Sequence, residues 1–90
     1  MEVTEITVSL RSEDKLRAFV NVTFDDCFVV RGMKVIKGAT GYFVSMPSRR
    51  MNDGTYRDIA HPITNEFREK VENAVLAAYY EESRRSGRKP

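Results

Sequence analysis

Residues 16–24 have the sequence LRAFVNVTF, in which every second side chain is apolar. The apolar positions are Leu16, Ala18, Val20, Val22 and Phe24. Because successive side chains of a β-strand point to opposite faces, this alternation predicts a strand that buries one face. Phe19 breaks the rule, since it falls on the face that we predict to meet water.

The segments next to this strand continue the pattern of a β-sheet. Residues 4–10 alternate in the same way, and a polar turn joins them to residues 16–24, so the two strands predict an antiparallel hairpin. Residues 27–37 predict a third strand, in which the apolar alternation changes phase at Gly32. A β-bulge at Gly32 would return the side chains after it to the buried face.

Two further strands are predicted before the pattern changes. Residues 42–46 are apolar on both faces, which favours a strand that is covered on both sides. Residues 56–60 predict a short fifth strand. Pro47 lies between them, and because proline has no backbone N–H we expect it to interrupt regular pairing.

From Thr64 or Asn65, either of which can cap a helix, the apolar period changes from two to 3.6 residues. The apolar stripe consists of Phe67, Val71, Ala74, Val75 and Ala78. This spacing predicts a helix that ends near Glu82. The predicted fold is α+β, with four to five antiparallel β-strands followed by a C-terminal α-helix packed on one sheet face. Unpaired edges and apolar side chains on the other face favour a dimer through the sheet.

The chain has 90 residues, which predicts one domain with a core small enough to gain from a partner subunit. Its apolar runs are too short for a membrane span and its N-terminus has no secretory signal, so we expect no membrane insertion and a cytoplasmic location. The single cysteine, Cys27, excludes an internal disulfide and a multi-cysteine zinc site. With His61 as the single histidine and no phosphate-binding loop, we expect no enzyme activity, cofactor or metal.

Charge is spread unevenly along the chain. Residues 1–82 carry a net charge of −2, and we predict that they form the domain. Residues 83–90 hold four basic residues and no acid, which predicts a basic flexible tail that either stays solvated or follows phosphates. The four are Arg84, Arg85, Arg88 and Lys89.

The sequence Asn-Asp-Gly at residues 52–54 is a strong turn signal. A two-residue loop would place Arg50 opposite Arg57, whereas a three-residue loop would place Arg49 opposite Arg57. Either register sets two guanidinium groups across from each other, an arrangement that a bridging phosphate stabilises. The alternative is a flexible, solvated turn.

Two segments resemble a known family. Residues 41–50, GYFVSMPSRR, and residues 54–63, GTYRDIAHPI, resemble the SpoVG family of bacteria (stage V sporulation protein G). The resemblance covers roughly residues 1–80. It implies a small dimeric α+β regulator that binds DNA and RNA and is linked to cell-division septation and, in spore formers, to sporulation.

The resemblance also implies which residues contact nucleic acid. They are Ser48, Arg49, Arg50 and Arg57 in the basic loop, and Arg84 and Arg85 near the end of the helix. The expected partners are DNA and RNA, a second copy of the chain, and proteins of the division machinery. The alternative function is a protein-interaction adaptor of the division machinery that does not bind nucleic acid directly.

Overall fold

The computed structural model describes residues 1–89. Its strands are β1 (Val3–Leu10), β2 (Leu16–Phe24), β3 (Phe28–Gly38), β4 (Gly41–Ser45), β5 (Ser48–Arg50) and β6 (Tyr56–Asp58), and its helix is α1 (Asn65–Arg85). Strands β1 to β4 form one antiparallel sheet in chain order, which we call the main sheet, while β5 and β6 pair separately. Helix α1 contacts the main sheet. The predicted α+β fold is therefore confirmed, with β5 and β6 set apart as a hairpin.

An apolar core lies between α1 and one face of the main sheet. The helix contributes Val71, Val75 and Tyr79, each with no more than 2% of its surface exposed. The sheet contributes Ala18, Val20, Val22, Met33, Val35 and Val44. The alternation in β2 thus predicted the buried face, and the helical period predicted the buried stripe. Tyr79, which is not among the five residues of the predicted stripe, is also buried in the core.

A β-bulge in β3 places Met33 in this core. The register between β2 and β3 shifts between Val20 and Val22, where β3 carries one extra residue beside Gly32. The φ of Gly32 is +85°, a conformation that glycine adopts without the strain that a Cβ would add. The bulge predicted from the phase change is therefore confirmed.

A second register shift lies beside Arg17 and was not predicted. It leaves Leu16 opposite Ile36, on the face of the main sheet that points away from α1. The prediction that Leu16 shares the buried face is wrong, because a bulge reverses the alternation at that point. Arg17 lies on the helix side, where interaction with the Tyr79 hydroxyl raises the pKa of its guanidinium.

The face that points away from α1 combines aromatic and cationic side chains. Phe43 is 49% exposed there. The guanidinium of Arg11 lies 5.0 Å from the centre of the Phe19 ring, and the ammonium of Lys34 lies 6.0 Å from it. These cations cover part of the ring, which accounts for an aromatic side chain on the face predicted to meet water. The dimer through the sheet stays a prediction.

Helix α1 begins as predicted and ends later than predicted. The Thr64 hydroxyl accepts a hydrogen bond from the Phe67 N–H at 3.2 Å, so Thr64 is the N-cap. At the other end the helix continues to Arg85, and Ser83 in its last turn is buried. Residues 83–85 are therefore helical, where the sequence predicted the start of a flexible tail.

The chain after α1 turns back on the helix. Gly87 has a φ of +72°, its N–H donates to the Arg84 carbonyl at 3.1 Å, and the Arg88 N–H donates to the Ser83 carbonyl at 2.9 Å. This pair of hydrogen bonds is the Schellman motif that closes many helices at a glycine. Residues 86–89 thus have a defined path, and Pro90, the last residue of the predicted tail, lies outside the described residues.

Candidate nucleic-acid interface

The hairpin of β5 and β6, residues 48–58, is closed by a three-residue loop. The Met51 N–H donates to the Thr55 carbonyl at 2.7 Å, and the Gly54 N–H donates to the Met51 carbonyl at 3.1 Å. Gly54 has a φ of +87°, which glycine tolerates. Of the two registers that the turn signal allowed, the structure has the longer loop.

Asp53 stabilises the loop through its carboxylate. One oxygen, Oδ1, accepts hydrogen bonds from the Thr55 N–H at 3.0 Å and from the Thr55 hydroxyl at 2.6 Å. These hydrogen bonds favour the ionised carboxylate and lower the pKa of Asp53 below its ordinary value. The loop is therefore an ordered element, in contrast to the flexible turn that the sequence left open.

The register places Arg49 directly opposite Arg57. Ladder hydrogen bonds flank this pair on both sides, from Met51 to Thr55 and from Ile59 to the carbonyl of Pro47 at 2.7 Å. Because the bonded positions of an antiparallel ladder recur every second residue, the two arginines form a hydrogen-bonded pair with Cα atoms about 5.5 Å apart. Their side chains stand on one face of the hairpin, which we call the arginine face.

Arg50 lies on the other face of the hairpin. It stands opposite Tyr56, and the neighbouring pair on that face is Ser48 with Asp58. The three arginines that the sequence grouped together are therefore divided, two on the arginine face and one on a mixed face that also carries a carboxylate. Ser48, predicted to contact phosphate with Arg49, does not share its face.

The hairpin arginines have no acidic partner within residues 1–89. The ion pairs of that region join Arg68 to Glu72, Lys70 to Glu2, Arg84 to Glu81 and Arg85 to Glu82. Arg49, Arg50 and Arg57 are all exposed. Two like charges that face each other across a ladder repel, and an anion placed between them removes that repulsion.

The arginines at the end of the helix are in a different electrostatic setting. Arg84 pairs with Glu81, and the Nε of Arg85 lies 3.4 Å from a carboxylate oxygen of Glu82. Both pairs are exposed and span one helical turn, so their energy is small and salt lowers it further. The structure thus brings together Arg49 and Arg57, which form no ion pair within residues 1–89, whereas Arg84 and Arg85 each stand beside an acid.

Comparison with known proteins bears on the same segments. A family model described as SpoVG matches residues 1–81. The chain belongs to the SpoVG family. A relative from Anaeromyxobacter sp. (strain Fw109-5), named "Putative septation protein SpoVG", is 53% identical over 85 residues, which cover 94% of this chain and 88% of the relative. A relative of the same name from Clostridioides difficile (strain 630) is 49% identical over 82 residues, which cover 90% of this chain and 89% of the relative.

The SpoVG match includes the whole hairpin and ends within α1. The arginine face therefore lies in the part of the chain that fits the family model. Arg84 and Arg85 lie beyond it, together with the basic residues that follow. Tyr80, within the match, was not predicted from the sequence as a contact residue. Gly87 after a basic last turn is nevertheless a recognised signal for a helix that ends in a Schellman turn.

A second surface feature lies near the junction of β6 and α1. It is an apolar groove of 280 Å³, lined among others by Phe28, Met46, Ile63 and Phe67. Ile63 is 90% exposed and Phe28 is 61% exposed. Apolar side chains this exposed at the rim of a groove are typical of a surface that contacts another molecule.

Three other kinds of site were considered possible for a chain of this composition: a metal site, a cysteine or histidine site, and a membrane-spanning helix. Within residues 1–89, no three or more His, Cys, Asp or Glu side chains are placed to hold a metal ion. Cys27 is exposed, and the Nδ1 of His61 lies 3.0 Å from the carbonyl of the next residue. Over the same range, no helix has the length and apolar character that crossing a bilayer requires.

Proposed function

We propose that the protein is a small nucleic-acid-binding regulator of gene expression, linked to cell-division septation and sporulation. One observation supports the binding: Arg49 faces Arg57 on an exposed hairpin, and no carboxylate within residues 1–89 is near enough to pair with either. The link to septation rests on the SpoVG family and on the name that its relatives carry. DNA and RNA both offer the phosphates that the arginine face would bind.

The geometry suits a phosphate for two reasons. A guanidinium donates parallel hydrogen bonds to two phosphate oxygens, and two guanidiniums from facing strands can contact the same group. Phosphate contacts fix position and carry no sequence information, so the arginine face alone predicts binding with little sequence preference. Arg50 and Ser48 on the mixed face would contact a neighbouring phosphate, while Arg84 and Arg85 would add attraction from the helix end.

We also propose that the protein acts as a homodimer formed through the sheet. A two-stranded hairpin is only marginally stable by itself, and Tyr56 within it and Ile59 next to it are each 69% exposed. A second subunit would double the number of arginine faces. Size-exclusion chromatography with light scattering would give about twice the chain mass of 10.4 kDa, and a mass equal to one chain at micromolar concentration would contradict the dimer.

The remaining proposals are that the protein is not an enzyme, needs no cofactor and works in the cytoplasm. The sequence offers few residues for catalysis, with Cys27 as its single cysteine and His61 as its single histidine. A domain of residues 1–82 would carry the binding function, with the residues after it contributing charge.

The test of nucleic-acid binding is fluorescence anisotropy with a labelled duplex DNA and a labelled RNA over a range of salt. If a dimer neutralises about six to eight phosphates, affinity falls by roughly a thousandfold or more between 50 and 200 mM salt. The double variant Arg49→Ala/Arg57→Ala should weaken binding to every sequence. A control variant, Arg11→Ala/Arg31→Ala, removes the same charge from the residue after β1 and from β3, and should weaken binding less. Equal losses in the two variants would refute the hairpin assignment.

The apolar groove favours a second candidate, an adaptor of the division machinery that binds a protein partner. A groove lined by Phe28, Ile63 and Phe67 would take an apolar side chain or short segment. This function predicts a complex that survives nuclease treatment and high salt and that Ile63→Ser disrupts. If the Ile63→Ser variant binds nucleic acid as tightly as the wild type does, that result would favour the first proposal.

A further inference from the structure

A cleft lies at the C-terminal end of α1, outside the hairpin. It has a volume of 450 Å³ and is lined by Ala77, Tyr80, Glu81, Arg84, Arg88 and Lys89. The Schellman turn at Gly87 forms the cleft, because it directs the chain after Gly87 back along α1 and not away from the helix end. Two basic residues that the sequence assigned to a free tail therefore line a cleft together with the Tyr80 side chain.

The ring of Tyr80 is both exposed and held in position. It is 42% exposed. Its centre lies 5.9 Å from that of Tyr42, edge to face at 85°, and 5.6 Å from that of Tyr79, tilted by 53°. Tyr79 is buried in the core, so this aromatic cluster anchors Tyr80 to the domain. An aromatic ring fixed in this way loses little freedom when a flat ligand stacks on it.

The charges of the cleft favour an anionic ligand. Glu81 is paired with Arg84, whereas Arg88 and Lys89 form no ion pair within residues 1–89. An exposed tyrosine beside free cations matches the way proteins bind single strands, where a base stacks on an aromatic ring and the backbone follows a basic groove. A duplex does not offer this contact, because its bases are already stacked and paired.

We propose that the cleft binds an unpaired nucleotide segment of single-stranded nucleic acid. A base stacks on Tyr80, and the adjoining phosphates contact Arg88 and Lys89. The inference rests on the proposed nucleic-acid binding and adds a preference to it: the arginine face contacts any phosphate backbone, whereas the cleft contacts single strands. Tyr80 lies within the SpoVG match, whereas Arg88 and Lys89 lie beyond it.

The test compares Tyr80→Ala and Tyr80→Phe for binding to three labelled ligands. The ligands are a short unstructured RNA, a duplex DNA of equal length, and an abasic oligonucleotide that keeps the phosphates and lacks bases. Tyr80→Ala should lose roughly fivefold or more in affinity for the RNA and should leave the duplex and abasic affinities unchanged. Tyr80→Phe keeps the stacking surface and should bind the RNA as the wild type does. Thermal unfolding of both variants checks that the aromatic cluster stays folded.

The outcomes separate this inference from the proposed function. Wild-type affinity of Tyr80→Ala for the RNA would overturn the cleft, and so would an equal loss for the abasic ligand, since the ring would then not be stacking on a base. If Arg49→Ala/Arg57→Ala still weakens binding in either case, nucleic-acid binding itself stands. A wild-type protein that binds none of the three ligands would instead contradict the proposed function.

Discussion

The hairpin register predicts which arginines cooperate in binding phosphate. Arg49 and Arg57 face each other, whereas Arg50 points to the opposite face. The test is a double-mutant cycle on nucleic-acid affinity, with Arg49→Ala, Arg57→Ala and Arg50→Ala made singly and in pairs. Residues that share a partner show coupling, and residues without one contribute additively.

The size of the coupling follows from the geometry. With Cα atoms about 5.5 Å apart, both guanidiniums can reach one phosphate. A hydrogen bond to a charged group contributes about 1.5–3 kcal/mol when protected from water, and exposure reduces this to roughly 1 kcal/mol, or about fivefold in affinity for each variant. The coupling energy between Arg49 and Arg57 should be about 0.5 kcal/mol or more. The losses of binding free energy in Arg50→Ala and Arg57→Ala should be additive to within about 0.5 kcal/mol.

Anisotropy titrations at a fixed moderate salt concentration measure all the affinities of the cycle. A cycle in which Arg50 and Arg57 couple strongly while Arg49 and Arg57 are additive would refute the register, because that result belongs to the two-residue loop. Thermal unfolding of each variant separates a binding effect from a loss of structure in the hairpin.

The other predictions concern the core and the loop. Val75→Ala should destabilise the protein by about 2–3 kcal/mol, since it removes two methyl groups from a site with 0% exposure; Val29→Ala at an exposed site is the control, and denaturant unfolding measures both. Ser83→Ala should be neutral or slightly stabilising, because the buried Ser83 hydroxyl has no hydrogen-bond partner within residues 1–89; a loss above about 1 kcal/mol would show that it has one. The lowered pKa of Asp53 stabilises the loop above the unfolded value of 3.8, and that stability should disappear as pH falls through the lower folded pKa. An NMR titration of the Thr55 amide should then give a midpoint below 3.8, and a midpoint at or above it would contradict the hydrogen bonds from Thr55.

Much of the fold follows from periodicity. The alternation in β2 and the 3.6-residue stripe in α1 each bury one face because an apolar side chain gains most from leaving water. The phase change at Gly32 also predicted a bulge correctly, since glycine and a lost alternation together are a strong signal. The bulge beside Arg17 gave no such signal, because the apolar alternation in the sequence is unbroken there. Only the pairing of β2 with β3 shows that Leu16 lies on the opposite face.

The residues of the candidate site stay a prediction from the sequence, and the geometry of the hairpin that carries them could be predicted only in part. The turn at residues 52–54 allowed two registers, and the choice between them depends on the ladder bonds from Met51 and Ile59, which local sequence does not determine. The predicted helix was too short at its C-terminal end. The buried position in its last turn is filled by Ser83, a polar residue, and therefore does not appear in the apolar stripe. Gly87 then folds the last basic residues back, where charge alone indicated a free tail.

The most direct test of the arginine face is to observe its side chains during binding. Two-dimensional NMR spectra of the arginine Nε–Hε groups, assigned by single substitutions, would be recorded while a short oligonucleotide is added. We expect the signals of Arg49 and Arg57 to shift together, at the same ligand concentration and by more than that of Arg68 on the helix. Signals of Arg49 and Arg57 that stay in place while the complex forms would contradict the account.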